Sequence, residues 1–259
     1  MIEFLLLVFI SLFLNMTVGL LLSFFKQNMA VVDVFWSTGI GITAWLIYFV
    51  SPPSVLLMLI VGLISLWSTR LSLFLFLTRI LPGHQDRRYQ KIANKWTGKK
   101  KLKTAGHFYM QASLQGLLCL CLYPAYIGLP SSVSWVTLCL VCFFILSLTG
   151  QLISDYQLEL FKRSGARGVC EKGLWSICRH PNYFFEVLMW LCLSLMTIPH
   201  AGYQIALISP LSIWIITRFI TGPYTEKLSL EKRGERYKDY QNRVPMMVPS
   251  LKLVLRKIR

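Results

Sequence analysis

Long apolar runs with almost no charged residues constrain the fold of this chain more than any motif does. A helix needs roughly 20 apolar residues to cross the roughly 30 Å hydrocarbon core of a bilayer. Apolar residues cover every helical face of these runs, which is typical of helices in lipid or in a protein core. The sequence therefore predicts an all-α membrane helix bundle, a single integral membrane domain over residues 1–259. Its seven predicted spans are 4–25, 31–50, 54–77, 108–129, 133–153, 183–198 and 203–220.

The few charged residues are distributed asymmetrically. They make up 15% of the chain, against about 25% in an average soluble domain. Nearly all Lys and Arg lie in segments 79–107, 155–181 and 221–259. Cytoplasmic loops are enriched in Lys and Arg, so we expect these segments in the cytoplasm, the C-terminus with them and the N-terminus outside. Basic loops of this kind attract anionic lipids, and they explain the net charge of +16 without nucleic-acid binding.

Four charged residues lie inside the predicted spans, at Asp33, Arg70, Glu186 and Arg218. A charge at membrane depth is costly, so it marks either a functional site or a buried partner. Asp33 and Arg70 therefore have two interpretations: a structural ion pair, or a pair of groups that orients a polar substrate.

The densest polar segment runs from a cytoplasmic loop into the sixth span. Pro181 is suited to the first turn of a helix, and Arg179 and His180 then flank a helix N-terminus, where anions are favoured. Four residues apart, Asn182 and Glu186 share one helical face, and Tyr183 stands beside them. This pattern suits a ligand with phosphates at one end and a ribose or an amide at the other. The alternative is an interfacial aromatic belt with extended arginines.

Two further clusters flank this segment. Asp155 and Glu159 lie four residues apart after the fifth span and precede a basic turn with Lys162, Arg163 and Arg167. Carboxylates there could bind ribose hydroxyls and the basic turn a phosphate, although a solvated helix has the same composition. In the tail, Arg236 and Tyr240 share one side of a short amphipathic helix. This helix either contributes to the same site or simply lies on anionic lipid.

Some familiar sites are missing from the pattern. Gly39-Ile-Gly41 lies in a span with no preceding strand, so it is no dinucleotide-binding fingerprint. Cys139 and Cys142 have the spacing of metal ligands, but no nearby His or acid completes a set. We therefore predict no metal site.

Together these clusters resemble the steroid 5-alpha-reductase C-terminal-like family, including its bacterial branch. The similarity rests on Gly173-Leu-Trp175, on Arg179-His-Pro-Asn-Tyr183 with Glu186, and on Asp155 with Gln157. It continues in Tyr237 to Pro249. In the N-terminal half it includes Asp33 to Trp36, Leu66 to Arg70, Arg79 and Asp86 to Tyr89.

The resemblance implies a seven-helix reductase in a bacterial inner membrane. NADPH would enter from the cytoplasm, and a steroid-like or other lipophilic substrate would enter from the bilayer and have a C=C bond reduced. Arg179 and His180 would face phosphate. The positions that match the family's cofactor motif are Asp155, Asn182, Tyr183, Glu186 and Tyr240.

Two positions depart from the steroid reductases. Trp67 stands where those enzymes have a tyrosine that polarises the substrate carbonyl, and an indole N–H donates a hydrogen bond but is no acid. Gln151 stands where the bacterial branch often has glutamate. The resemblance thus leaves Asp33, Trp67 and Arg70 as the candidate catalytic residues.

Two other functions fit the same strings. The Arg-His-Pro-x-Tyr segment also resembles the isoprenylcysteine carboxyl methyltransferases, which bind S-adenosylmethionine. That cofactor carries a sulfonium cation and no phosphate, so it favours carboxylates and aromatic rings over the basic turn. A non-catalytic lipid-binding membrane protein is the third possibility.

Overall fold

The described residues of this computed structural model are 1–83, 86–129, 132–166, 168–198 and 200–258. They fold into helices with no β-strand among them, which confirms the all-α part of the predicted fold class. In chain order the helices are α1 (Ile2–Lys26), α2 (Val31–Val50), α3 (Val55–Leu75), α4 (Arg87–Asn94), α5 (Lys100–Cys119), α6 (Tyr123–Ile127), α7 (Trp135–Arg163), α8 (Pro181–Leu195), α9 (Tyr203–Ala206), α10 (Ile208–Ile215), α11 (Gly222–Arg233), α12 (Glu235–Arg243) and α13 (Leu251–Ile258).

Six stretches of helix in the described residues are long and apolar enough to cross a membrane. Short π-helical or 3₁₀ segments extend several of the helices, and the six stretches are Ile2–Lys26, Val31–Val50, Val55–Ile80, Lys100–Ile127, Trp135–Arg163 and Tyr203–Arg233. Three of them continue at one end into polar, basic sequence. A membrane helix tolerates such ends, because Lys and Arg side chains can extend from a helix end to the interface. The chain is therefore an integral membrane protein.

The predicted sixth span, 183–198, is the exception. Its helix α8 has 15 residues and so spans about 22 Å, which is less than the hydrocarbon thickness. The predicted apolar run, 183–198, was itself shorter than the roughly 20 residues that a crossing needs, and the helix that forms begins at Pro181 and ends at Leu195. The number of crossings and the sides of the two termini stay predictions.

Short polar side chains define where several helices begin. Ser54 accepts a hydrogen bond from the Leu57 N–H at 3.2 Å, and Asp86 accepts one from the Arg88 N–H at 2.8 Å. Each is an N-cap that satisfies a backbone donor without a partner inside the helix. These caps fix the starts of α3 and α4 in the sequence.

The chain forms two compact units. The first comprises Met1–Leu138 and Leu193–Ser212, and the second comprises Cys139–Cys192 and Ile213–Arg259. The candidate catalytic residues belong to the first unit and the predicted cofactor residues to the second.

Buried polar contacts join the membrane helices of the first unit. Ser11 and Thr43 share a hydrogen bond of 2.8 Å between α1 and α2. Asn15 and Gln115 both donate to the Phe35 carbonyl of α2, at 2.9 and 3.1 Å. Lipid provides little hydrophobic drive for one helix to pack on another, so small residues and such hydrogen bonds hold the helices together.

In the second unit, the chain after α12 closes over the start of α8. Residues 245–250, which we call the C-terminal strap, run beside residues 177–180 and make backbone hydrogen bonds with them. Arg179 N–H donates to Pro245 O at 2.9 Å, and Ser250 N–H donates to Ile177 O at 3.0 Å. These bonds satisfy backbone groups that the loop before α8 cannot satisfy within itself.

Gly39 lies where three helices of the first unit meet. A Cβ at this position would lie 2.5 Å from Asn15 Nδ2 and 2.7 Å from Gln115 Nε2. We expect Gly39→Ala to displace both amides from their carbonyl acceptors and to lower the free energy of unfolding by about 1–3 kcal/mol. Thermal unfolding in detergent measures the change.

Gly62→Ala is the matched control, because a Cβ at that helical position in α3 meets no atom within 4 Å. Alanine is the better helix former, so this variant should be as stable as the wild type or slightly more stable. Equal losses in the two variants would contradict the role assigned to the amide contacts.

Candidate functional site

One face of α7 carries a line of polar and charged residues. Gln151, Asp155, Glu159 and Lys162 follow each other at intervals of four, four and three residues, which place them on one side of the helix. We call this line the α7 stripe. It extends over about 16 Å and runs from the buried Gln151 and Asp155 to the basic end of the helix.

At the inner end of the α7 stripe lies the carboxylate of Glu186. One of its oxygens accepts a hydrogen bond from Gln151 Nε2, and the other accepts one from Trp190 Nε1 at 2.9 Å. All three residues are buried. The amide and the indole fix this carboxylate in position, and a carboxylate can accept more than two hydrogen bonds.

One helical turn along the stripe, Asn182 Nδ2 donates to Asp155 Oδ1 at 3.2 Å. Beside them the Tyr183 ring stacks on the His180 ring, with a centroid distance of 5.0 Å and an angle of 2°. The structure therefore brings together two of the predicted cofactor residues, Asp155 and Asn182. It places Tyr183 against His180 at the start of α8.

Arg179 and His180 converge on a carboxylate of the protein itself. Arg179 donates to Glu226 through Nε at 2.7 Å and through Nη2 at 3.2 Å, and His180 Nε2 lies 3.0 Å from Glu226 Oε1. Gln241 Nε2 completes the set at 2.7 Å from Glu226 Oε2. We call these four residues the Glu226 cluster.

The Nη1 group of Arg179 also donates to protein groups. Nη1 donates to the carbonyls of Gln241 and Val244, at 2.8 and 2.6 Å. The side chains of Arg179 and Glu226 are only 11% and 10% exposed. The sequence predicted that Arg179 and His180 face phosphate. In the structure both contact Glu226 of α11, and Arg179 also donates to the carbonyls of Gln241 and Val244, just before the C-terminal strap.

Tyr240, the last predicted cofactor residue, is 1% exposed. Its hydroxyl donates to the Trp175 carbonyl at 2.5 Å, and its ring packs with Tyr237 and Val244. Burial raises the pKa of the Tyr240 phenol, so it stays a neutral donor. Nearby, burial raises the pKa of the Cys178 thiol to about 11, so this thiol remains protonated under the strap.

At the outer end of the α7 stripe a basic cavity opens. It has a volume of about 530 Å³ and is bounded by the end of α7, the loop after it, the end of α11 and the start of α12. Arg233 Nε donates to the Gly168 carbonyl at 2.5 Å and ties α11 to this loop. The lining residues are Phe161, Lys162, Gly165, Ala166, Gly168, Lys232, Arg233 and Arg236.

Sequence reasoning found only part of this cavity. It recognised the basic turn around Lys162, while Arg167 of that turn lies outside the described residues. It missed Lys232 and Arg233, which come about 70 residues later, and it named Arg236 on the tail helix without placing it beside this turn. The dense basic composition of the tail was the available signal, but nothing in it indicates which residues face the turn.

In the first unit, Asp33 is the centre of an ion cluster. Its carboxylate accepts hydrogen bonds from Arg79, from Arg88 Nη2 at 3.0 Å and from the Tyr89 hydroxyl at 2.6 Å. Arg88 also donates to Asp86 at 2.8 Å. These contacts fasten α4 to the start of α2. Strings containing Arg79, Arg88 and Tyr89 were part of the family resemblance, although their contacts with Asp33 were not predicted.

The other two candidate catalytic residues lie on α3. Trp67 is buried, and the Arg70 guanidinium lies 5.4 Å from the centre of the Phe74 ring. An arginine over an aromatic face is stabilised without losing its charge. The roles of Asp33, Trp67 and Arg70 in catalysis stay predictions.

One protein family matches this chain. It is described as "Protein of unknown function (DUF1295)", and the match covers residues 20–244. All the predicted site residues fall within the matched part, and the C-terminal strap follows it. No curated protein and no solved structure matches.

The Asp33 cluster predicts a stability change in acid. Burial alone would raise the pKa of Asp86, but the hydrogen bonds and charge of Arg88, with the charge of Arg79, outweigh it and lower this pKa to about 2. A carboxyl group with a lowered pKa stabilises the folded protein at pH values above its ordinary pKa, which is near 3.8. This stabilisation is lost as the pH falls toward 2. We therefore expect the stability advantage of the wild type over Asp86→Asn to shrink between pH 5 and about pH 2.

Chemical unfolding in detergent at a series of pH values measures this difference. Asp239→Asn, at a side chain that is 64% exposed, is the matched control. A wild-type advantage over Asp86→Asn that stays constant down to pH 2 would contradict the assignment.

The Glu226 cluster predicts a large loss of folding stability at neutral pH when its carboxylate is neutralised. Glu226→Gln keeps the shape of the side chain but leaves the buried Arg179 without its counter-charge, so we expect a loss of about 3 kcal/mol in stability. Thermal unfolding in detergent measures it. Glu235→Gln, at a side chain that is 87% exposed, should leave the unfolding temperature unchanged. The cluster has no structural role if the two variants unfold at the same temperature.

Proposed function

Since this chain belongs to the DUF1295 family, which is related to steroid 5-alpha-reductase-like proteins, we propose that it is an NADPH-dependent membrane reductase. Its substrate would be a steroid-like or other lipophilic molecule from the bilayer. The reaction would reduce a C=C bond, conjugated to a carbonyl group. A bacterial inner membrane is the proposed location.

The observation that carries this proposal is the continuity of the α7 stripe with the basic cavity. NADPH combines several phosphate charges with ribose hydroxyls and a carboxamide. Lys162, Lys232 and Arg236 supply positive charge around a space of about 530 Å³, which suits phosphate groups. The buried polar pairs at Asp155 and Glu186 supply hydrogen-bonding groups toward the membrane interior. The residues present therefore fit the chemistry of this cofactor.

Each part of the site then has a distinct task. When bound, NADPH would supply the hydride. Asp155 and Asn182 would hydrogen-bond its ribose or amide groups, and Glu186, fixed by Gln151 and Trp190, would orient the group beside them. The basic cavity would hold phosphate.

Arg179, His180 and Tyr240 have an indirect part in this proposal. Their donors face Glu226 and the Trp175 carbonyl. We therefore assign them to positioning the start of α8, where Asn182 and Glu186 originate. The sequence instead predicted that Arg179 and His180 contact phosphate. The assignment differs because the Glu226 carboxylate already contacts both side chains.

For the substrate, the candidates remain Asp33, Trp67 and Arg70. The Trp67 indole N–H can donate a hydrogen bond to a carbonyl oxygen but cannot transfer its proton. A buried apolar surrounding would exclude water from the reacting bond and strengthen such a hydrogen bond.

A second candidate is an S-adenosylmethionine-dependent methyltransferase. The buried Glu186 beside the Trp190 indole is the observation that favours it, because a carboxylate and an aromatic ring suit a sulfonium cation. This function leaves the basic cavity without a task. We prefer the reductase for that reason.

Cofactor binding to the purified protein in detergent tests the choice. We expect NADPH to bind and to raise the unfolding temperature, with an affinity that falls as salt increases. Replacing two cavity residues, Lys232→Glu with Arg236→Glu, should weaken NADPH binding by at least about tenfold, since two favourable charges become repulsive. Isothermal titration calorimetry measures the affinity.

Lys238→Glu is the matched control, because Lys238 lies on α12 outside the cavity and is exposed. Its NADPH affinity should remain close to that of the wild type. Saturable binding of S-adenosylmethionine without binding of NADPH would assign the protein to the methyltransferases. Binding of neither would favour a non-catalytic lipid-binding protein.

A further inference from the structure

The last helix of the chain, α13, exposes apolar side chains on one face. Leu251 is 70% exposed and Leu255 is 54% exposed. Four residues apart, they lie on the same side of the helix. Val248, just before the helix, is also largely exposed. The described part of the chain offers these side chains no apolar cover.

The opposite face of α13 is fixed to the protein. Leu253 packs against the buried group formed by Tyr237, Tyr240 and Val244. At 100° per residue, Leu253 points about 160–200° away from Leu251 and Leu255. Ser250, the residue before the helix, also donates its N–H to the Ile177 carbonyl at 3.0 Å. Because Leu253 packs against the protein, Leu251 and Leu255 on the opposite face point outward.

The charge of this segment is strongly basic. Residues 251–259 have the sequence LKLVLRKIR, which contains four Lys or Arg and no acid. A short helix that combines an exposed apolar face with basic residues fits the interface of a bilayer, where the apolar face enters the acyl boundary and the basic residues meet acidic headgroups. The bilayer that surrounds the membrane-spanning helices provides such an interface.

We propose that α13 is an interfacial anchor that binds the surface of a membrane containing acidic phospholipids. Its Leu251 and Leu255 side chains insert at the headgroup boundary, and Lys252 binds the acidic headgroups. Because α13 continues directly from the C-terminal strap, the anchor also holds the strap against residues 177–180. This role is independent of the cofactor and of the reaction.

Hydrogen exchange of the full-length protein in lipid nanodiscs tests the anchor. One set of nanodiscs contains phosphatidylcholine alone, and the other contains phosphatidylcholine mixed with phosphatidylglycerol. Insertion on the acidic surface should slow exchange of the α13 amides by about tenfold relative to phosphatidylcholine alone. The double variant Leu251→Ser with Leu255→Ser should lose this difference, whereas Lys238→Glu should keep it.

The Arg179 and His180 amides report on the strap in the same experiment, because they donate to Pro245 and Met246. If the serine variant loses their protection, Lys252→Glu decides, since it keeps both leucines and should reduce the lipid-dependent slowing. Equal exchange of α13 in the two lipids, or lipid-dependent slowing that persists in the decisive variant, would overturn the proposal. Neither result bears on NADPH binding.

Discussion

The ion pair between Arg179 and Glu226 ties the start of α8 to chain segments that follow nearly 50 residues later. Its two side chains are almost fully buried, so neither charge has water to replace its partner. The carbonyls of Gln241 and Val244 accept hydrogen bonds from Arg179 Nη1, and His180 and Gln241 also contact the carboxylate. The pairing of the strap with the loop before α8 depends on this arrangement. The position of Asn182 and Glu186, on the first turns of α8, depends on it as well.

Much of the architecture follows from local sequence. Six predicted spans, 4–25, 31–50, 54–77, 108–129, 133–153 and 203–220, lie almost wholly within membrane-length helical stretches, because an apolar run in lipid must satisfy its backbone hydrogen bonds as a helix. The span 183–198 stays a prediction: its helix α8 has 15 residues, fewer than the roughly 20 that a straight crossing needs, and the predicted apolar run was about as short.

The site was only partly predictable, for a different reason. Asn182 and Asp155 were both named from the sequence, and they do meet. Arg179 was also named, but its contact with Glu226 was not predicted. An arginine at a helix start suits phosphate and carboxylate equally, and only the fold brings Glu226 to it. In the same way, the basic cavity joins residues near Lys162 to Arg236, and no local pattern records a contact between segments so distant in the chain.

The backbone pairing of the C-terminal strap has a practical consequence for protein production. A chain shortened to the family match would end at residue 244 and would lack the carbonyls of Pro245 and Met246 that accept from Arg179 and His180. Two amides beside the first turn of α8 would then be left without acceptors, at the point from which Asn182 and Glu186 are oriented. Expression boundaries for this chain are therefore best drawn beyond Ser250, and affinity tags are best attached to the other terminus.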